Sequence, residues 1–157
     1  MLEALAASVR RREVSAEALV REAIDRIGRF DGAIGAVVRR CEDRALDEAR
    51  TVDARVAAGE DPGPLTGLPL LVKDNEDVAG LPTTFASLLH ADARPAERDC
   101  DVVRSLRGSG AIVVGKTNLP EFALEGFTDN RLFGPTRNPW APGWTPGGSR
   151  GGSGAAL

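Results

Sequence analysis

Apolar residues at helical spacing dominate the first third of the chain. One face of a predicted helix carries Leu19, Val20, Ala23, Ile24 and Ile27. Ser15 is placed to cap the first turn of this helix, and Gly28 and Gly32 are placed to end it. The same spacing predicts a short helix over residues 2–12 and an exposed, charge-rich helix over residues 42–58. The chain is therefore predicted to begin with a mainly helical part.

Short, nearly continuous apolar runs replace the helical spacing after residue 64. Residues 68–72 and 111–114 are typical of buried strands, and a helix is predicted between them over residues 99–106. The apolar run at residues 33–38 is a further candidate strand. A strand, a helix and a second strand in this order indicate parallel pairing. The predicted fold class is α/β, with N-terminal helices followed by part of a mixed, largely parallel sheet with flanking helices.

Length and composition indicate one domain. The chain has 157 residues and 42% apolar content, which suits a single hydrophobic core. We predict a helical prelude over residues 1–64 and the start of a catalytic core over residues 65–157. Residues 134–154 are rich in glycine and proline, but they include two tryptophans that a solvated tail would not use, so they are predicted to form an ordered, irregular segment over the sheet. Residues 155–157 are predicted to begin a helix.

Charge and residue usage exclude several classes of function. The formal net charge is −3 with acids and bases intermixed, so no basic stripe indicates a nucleic-acid partner. No apolar run reaches the length of a membrane span and the first residues do not open a signal peptide, which predicts a cytoplasmic protein. Cys41 and Cys100 are predicted to be free, buried thiols, and His90 a solvated surface residue. No metal-ligand spacing is present.

Residues 110–117 match the phosphate-binding pattern G-x-x-x-x-G-K-[ST]. In a P-loop the variable positions wrap around phosphate with their N–H groups pointing inward. Here Ile112, Val113 and Val114 are β-branched residues that favour a strand. We therefore reject a nucleotide-binding loop at this position.

Residues 147–151 match the nucleophile-elbow pattern G-x-S-x-G around Ser149. That motif requires a strand directly before the serine and a histidine later in the chain. The preceding residues are rich in proline and glycine, and His90, the only histidine, comes earlier. A Ser–His mechanism is therefore not supported, and a flexible linker remains the alternative interpretation of the Gly/Ser run.

Lys73 is the alternative base. It follows the apolar run 68–72, and desolvation there disfavours the ammonium form and lowers the pKa of a lysine. A neutral Lys73 would be able to take a proton from Ser149. Asp74 opposes this interpretation, because a carboxylate close to the amine would hold it protonated. An ordinary lysine at a strand end is the other interpretation.

Four segments together resemble the amidase signature family. They are residues 67–84, 115–123, 133–140 and 146–153. The resemblance implies hydrolysis of carboxamides by a Ser–cis-Ser–Lys triad that uses no metal and no organic cofactor. It implies that Lys73 is the base and that Ser149 is the middle serine, preceded by a cis peptide bond. It further implies that substrate-binding residues lie at Ala123, Phe127, Gly147 and Gly148.

Two departures from the family pattern qualify what the resemblance implies. Arg150 stands where the family commonly has a second serine in the signature loop. The family's nucleophilic serine lies further along than Leu157, so the chain is expected to be truncated before it and inactive alone.

The expected partners are a small-molecule amide and either a complementary C-terminal fragment or a second copy of the chain. The alternatives are a non-catalytic binding or assembly module, a part of the A-subunit of a tRNA-dependent amidotransferase, or a hydrolase that uses Ser149 as nucleophile.

Overall fold

The structure is a computed structural model that describes residues 2–157. Its helices are α1 (Leu2–Arg10), α2 (Ala16–Ile34), α3 (Glu42–Ala57), α4 (Asp101–Gly108) and α5 (Gly151–Ala155). Its strands are β1 (Val37–Arg40), β2 (Pro69–Lys73) and β3 (Ile112–Thr117). Short 3₁₀ turns lie at Leu88–His90 and Glu121–Ala123. The predicted α/β class with flanking helices is confirmed.

The three strands form one mixed sheet in the order β1-β3-β2. β1 runs antiparallel to β3, with Val37 opposite Thr117. β2 runs parallel to β3, since Ile112 N donates to Leu68 O at one end and Asp74 N donates to Thr117 O at the other. All six residues of β3 are buried, as expected for the central strand. The predicted mixed sheet with a parallel strand–helix–strand unit is present.

The chain divides into two compact units. The first contains the described residues up to 26 together with 41–70 and 104–114. In this unit α1 contacts α3, and the buried residues of the two helices are small, including Ala6, Val9, Ala45 and Ala49. Such side chains allow close helix packing without large aromatic groups. The carboxylate of Asp53 accepts hydrogen bonds from two backbone N–H groups at the start of α2, which holds that helix end on α3.

The second unit contains residues 27–40, 71–103 and 115–157. Its interior is unusually polar, because Lys73, Asp74, Lys116, Thr117 and Asn118 are all buried. Buried polar groups need partners to offset the loss of solvation. Asn118 is an example of a buried polar side chain with several partners. Its side-chain NH₂ donates to Gly134 O and Thr136 Oγ1 (both 3.1 Å), and its side-chain oxygen accepts from two further groups.

Two predicted boundaries were wrong. Helix α2 does not end at Gly28 or Gly32 but runs to Ile34 and is ended by Gly35, whose φ of 66° lies in the left-handed region. A glycine inside a helix costs about 1 kcal/mol, which the packing of a 19-residue helix can offset. The candidate strand at 33–38 consequently begins later, at Val37. The third helix and the two predicted core strands agree with the structure to within a few residues.

The last helix also differs from its prediction. α5 begins at Gly151, inside the Gly/Ser run, and not at residue 155. Gly151 and Gly152 are buried there, because the side chain of Thr128 approaches Gly151 and the backbone of Asn118 and Ala36 approaches Gly152. The helical pattern was not visible in the sequence because three of the five residues of α5 are glycine, the weakest helix former after proline.

Both cysteines are free, as predicted, but half-buried and not fully buried. Cys41 Sγ donates to Val113 O (3.2 Å), and Cys100 Sγ donates to a carboxylate oxygen of Glu76 (3.3 Å). His90 is exposed, as predicted. No helix within residues 2–157 combines the length and the apolar character that crossing a bilayer requires. The division at residue 64 between prelude and catalytic core stays a prediction.

Candidate active site

Lys73 and Ser149 lie in direct contact, although 76 residues separate them in the sequence. Lys73 is the last residue of β2 and its side chain is buried, with 7% of its surface exposed. Its Nζ donates a hydrogen bond to Ser149 Oγ at 3.0 Å. The peptide bond between Gly148 and Ser149 is cis. The two side chains singled out in the sequence are therefore within proton-transfer distance of each other.

Residues 125–128 hold the loop that carries Ser149. The hydroxyl of Thr128 donates to Gly147 O (2.8 Å). A Cβ on Gly148 would lie 2.6 Å from Glu125 O and 2.8 Å from Phe127 N, so the two segments are in backbone contact. Only glycine permits this approach. Gly148 thus serves close packing, and Gly147 adopts a left-handed backbone with a φ of 91°. Both roles argue against the linker interpretation.

Helix α5 holds the other side of the same loop. A Cβ on Gly152 would lie 2.5 Å from Asn118 N and 2.9 Å from Ala36 O, and would also clash with Asn118 O. One residue further on, Ser153 Oγ is 2.8 Å from Thr117 Oγ1 at the end of β3. Ser149 is therefore fixed from both directions along the chain, which is what a proton-relay group requires.

Asp74 does not pair with Lys73. Its side chain is fully buried and forms an ion pair with Lys116 Nζ at 2.8 Å. It also accepts hydrogen bonds from the backbone N–H of Thr84 (3.2 Å) and from the Thr84 hydroxyl. Successive residues of an extended chain point to opposite sides. The carboxylate that the sequence placed beside the amine of Lys73 is thus directed to another partner.

Burial is the main cause that lowers the pKa of Lys73 below the ordinary lysine value. The positive charge of Arg150 lowers this pKa further, and the negative charge of Glu76 opposes the shift. A lowered pKa increases the fraction of neutral amine near neutral pH. Arg150, the departure from the family pattern, therefore favours the form of Lys73 that can accept a proton.

We expect Arg150→Gln to raise the pKa of Lys73, because the variant removes a nearby positive charge. At any pH close to that pKa the neutral fraction of the amine then falls. Glu76→Gln is the matched variant of opposite sign and should lower the same pKa. The measurement is an NMR titration of the Lys73 Cε signal. Shifts of both variants in the same direction would contradict the assignment of these charges.

The four residues predicted to bind substrate have different surroundings. Gly147 and Gly148 lie in the loop directly before Ser149, and Gly147 has a φ of 91°. Phe127 is 48% exposed, and its backbone contacts Gly148. Ala123 lies at the end of the 3₁₀ turn at Glu121–Ala123, with a φ of 60°. The structure brings Phe127 and the two glycines together beside Ser149, and their binding of substrate stays a prediction.

Several residues that shape the site were not identified as such from the sequence. The Lys73–Ser149 contact and its surroundings are supported by Thr128, Ser153, Thr117 and the pair Asp74–Lys116. Residues 115–118 could have indicated this from the sequence. Two polar residues and a lysine follow a buried apolar strand there, and buried polar groups need hydrogen-bond partners within the protein. Among residues 2–157, no group of three or more His, Cys, Asp and Glu side chains is arranged to hold a metal ion.

The model of the family described as Amidase matches residues 18–157. The chain belongs to the amidase signature family. It is 47% identical over 153 residues to the A-subunit of glutamyl-tRNA(Gln) amidotransferase from Gloeobacter violaceus, covering 98% of this chain and 31% of that protein. The family membership and its enzyme class agree with the resemblance found in the sequence.

Solved structures support the same fold. One chain from a complex studied for the evolutionary origins of an s-triazine catabolic enzyme matches with a TM-score of 0.95 and 39% identity, over 100% of this chain and 35% of that one. A bacterial aryl acylamidase of the amidase signature family matches with a TM-score of 0.87 and 34% identity, over 92% of this chain and 30% of that one. The 157 residues thus span about a third of the length of these relatives.

Proposed function

We propose that this chain supplies the base and the relay serine of an amide-hydrolysing site with a Ser–cis-Ser–Lys triad. The observation that carries the proposal is the 3.0 Å contact between Lys73 Nζ and Ser149 Oγ. The third member of the triad, a nucleophilic serine, is not among residues 1–157. The site needs no metal or organic cofactor in this proposal.

The proposed reaction begins with proton transfer. Neutral Lys73 accepts a proton from Ser149 Oγ, and Ser149 in turn accepts the proton of the nucleophilic serine. The nucleophile attacks the amide carbonyl, and the C–N bond breaks as the departing nitrogen takes a proton back from the Lys73–Ser149 relay. Water then hydrolyses the acyl-enzyme by the reverse proton path. The lowered pKa of Lys73 supports this scheme, because an ammonium group cannot accept the first proton.

We place the substrate beside the loop that carries Ser149. Phe127 offers an exposed aromatic ring to one side of an amide, and Gly147 and Gly148 leave the backbone open to close approach. Ala123 is proposed as a more distant wall of the same pocket. What supports this placement is the backbone contact between residues 125–127 and Gly148.

The purified 157-residue chain should not hydrolyse simple amides, because two members of a triad lack a nucleophile and the oxyanion-binding groups that accompany it. The measurement is ammonia or amine release, followed with and without Ser149→Ala. Turnover that disappears in Ser149→Ala would contradict the assigned relay role. A serine-directed covalent probe should also leave Ser149 unlabelled, whereas labelling would favour the hydrolase that uses Ser149 as nucleophile.

A second candidate function is that of the A-subunit of a glutamyl-tRNA(Gln) amidotransferase. The 47% identity to the Gloeobacter violaceus protein favours it. In this case the amide is that of glutamine, and the ammonia passes to glutamyl-tRNA(Gln), the acceptor in the name of that relative. Ammonia release from glutamine, compared with release from an aryl amide by the same nucleophile-containing protein, separates the two candidates. A preference for glutamine supports the amidotransferase.

A further inference from the structure

Lys73 and Lys116 are the only lysines in the sequence, and every other basic side chain apart from His90 is an arginine. Both lysines are buried in the second compact unit, Lys73 with 7% and Lys116 with 0% of its surface exposed. Lysine is the cation that loses its proton readily on burial, whereas arginine keeps its charge. Both lysine amines of the chain therefore lie in the interior of this unit. Lys73 is the base of the proposed proton path, and Lys116 has no role in that path.

Lys116 is enclosed by oxygen atoms. Besides the ion pair with Asp74, its Nζ donates to Pro82 O and to Thr83 Oγ1, both at 2.9 Å. These three contacts match the three donors of an ammonium group. Asp74 is equally occupied, because its second oxygen accepts from the N–H and the hydroxyl of Thr84. The described contacts of both side chains are thus made with partners other than Lys73.

The pair is also joined to the site through the backbone. Asp74 follows Lys73 directly, and Asp74 N donates to Thr117 O, while Lys116 directly precedes Thr117. The two charged side chains are therefore attached where the ends of β2 and β3 are hydrogen-bonded to each other. At the end of β2 the side chain of Lys73 contacts Ser149. At the end of β3 the side chain of Thr117 contacts Ser153 on α5.

We propose that Asp74 and Lys116 act as a positioning pair, which fixes the ends of β2 and β3 and balances the charge of Asp74 so that it does not act on the amine of Lys73. This inference rests on the proposed role of Lys73 as the base. With the pair balanced, the charges that act on Lys73 are those of Arg150 and Glu76. The groups acting on Lys116 are Asp74, Asp77 and Arg39, and burial lowers the pKa of Lys116 although Asp74 opposes that shift. An ammonium on Lys116 and a carboxylate on Asp74 together carry no net charge.

The test uses the chain labelled with ¹³C at the lysine Cε position, which gives one signal for each lysine. Lys73→Arg assigns the two signals. In Asp74→Asn, which keeps the shape of the side chain, the titration midpoint of Lys116 should fall by about one pH unit or more, and the ammonium left unbalanced on Lys116 should also lower the midpoint of Lys73. An unchanged Lys116 midpoint would overturn the proposal, because Asp74 would then not balance the charge of Lys116.

Two further variants separate charge from structure. Lys116→Met leaves Asp74 unbalanced and should raise the Lys73 midpoint by about one unit. The double variant Asp74→Asn/Lys116→Met leaves no buried charge at the pair and should return the Lys73 midpoint to within about 0.3 units of the parent value. Equal shifts in the single Lys116 variant and the double variant would overturn the proposal. So would unfolding of the double variant, because the pair would then be a requirement of the fold and not a positioning device.

This titration needs no substrate and no nucleophile. Its outcome is therefore independent of the proposed hydrolysis: the charge balance can hold in a protein that fails to turn over amides. Conversely, loss of the balance with intact turnover would reject the positioning pair and keep the proposed function.

Discussion

Lys73→Met should reduce amide hydrolysis by about a thousandfold or more in a protein in which residues 1–157 are followed by the nucleophilic serine. The variant keeps the length and burial of the side chain at the end of β2 but removes the group that accepts the first proton. The lost contact is the 3.0 Å hydrogen bond to Ser149 Oγ. Because the group acts on the proton transfer, the loss should fall mainly on kcat and less on KM.

Lys73→Arg sharpens this test. Arginine retains a positive charge and hydrogen-bond donors near Ser149, but its guanidinium does not deprotonate in the working range of pH. We therefore expect Lys73→Arg to be as inactive as Lys73→Met. Thr51→Ala, an exposed change on α3 in the other compact unit, serves as the matched control and should keep full activity. An arginine variant with substantial turnover would show that Lys73 acts through its charge and not as a base.

The second large effect is expected on stability, at Gly152. Gly152→Ala would place a methyl group 2.5 Å from Asn118 N and 2.9 Å from Ala36 O. Both neighbours are backbone atoms next to β3 and β1, so neither can rotate away as a flexible side chain would. Overpacking of this kind costs about 1–3 kcal/mol or more in the free energy of unfolding. For a chain of this size we expect the melting temperature to fall by about 2–12 °C.

Gly154→Ala is the matched control because it lies in the same helix with no atom within 4 Å of the new Cβ. Replacing a helical glycine with alanine is favourable by up to about 1 kcal/mol, so this variant should be neutral or stabilised. Thermal unfolding followed by circular dichroism compares the two directly. Equal melting temperatures for both variants would show that α5 does not pack against Asn118 as described.

Much of the fold could be predicted because its pattern is local. Helical spacing of apolar residues identified α2, and the Ser15 cap is present, with its hydroxyl accepting from Ala18 N at 3.0 Å. The runs that became β2 and β3 were recognised because a strand buried on both faces is apolar throughout. Lys73 and Ser149 were selected from the resemblance to the amidase signature family and from the chemistry of a lysine at the end of a buried strand.

What could not be predicted depends on contacts between distant segments. The glycines that begin α5 look like a linker until the backbone of Asn118 is placed against Gly152. Asp74 looks like a counter-ion of Lys73 until the fold brings Lys116, 42 residues later, to within 2.8 Å of its carboxylate. In both cases the neighbouring residues in the sequence indicated the wrong contact. The direction of the chain at the end of a strand or loop decides which distant residue a side chain or a glycine meets.

The restriction of lysine to two interior positions has a consequence for the whole molecule in alkali. The sequence contains no tyrosine, and its surface cations are arginines, which stay charged throughout that range. The titratable side chains that remain for the alkaline range are therefore two lysines and two cysteines. A potentiometric curve of the folded protein, which in most proteins is dominated by the surface, would here count protons leaving half-buried and buried groups almost exclusively.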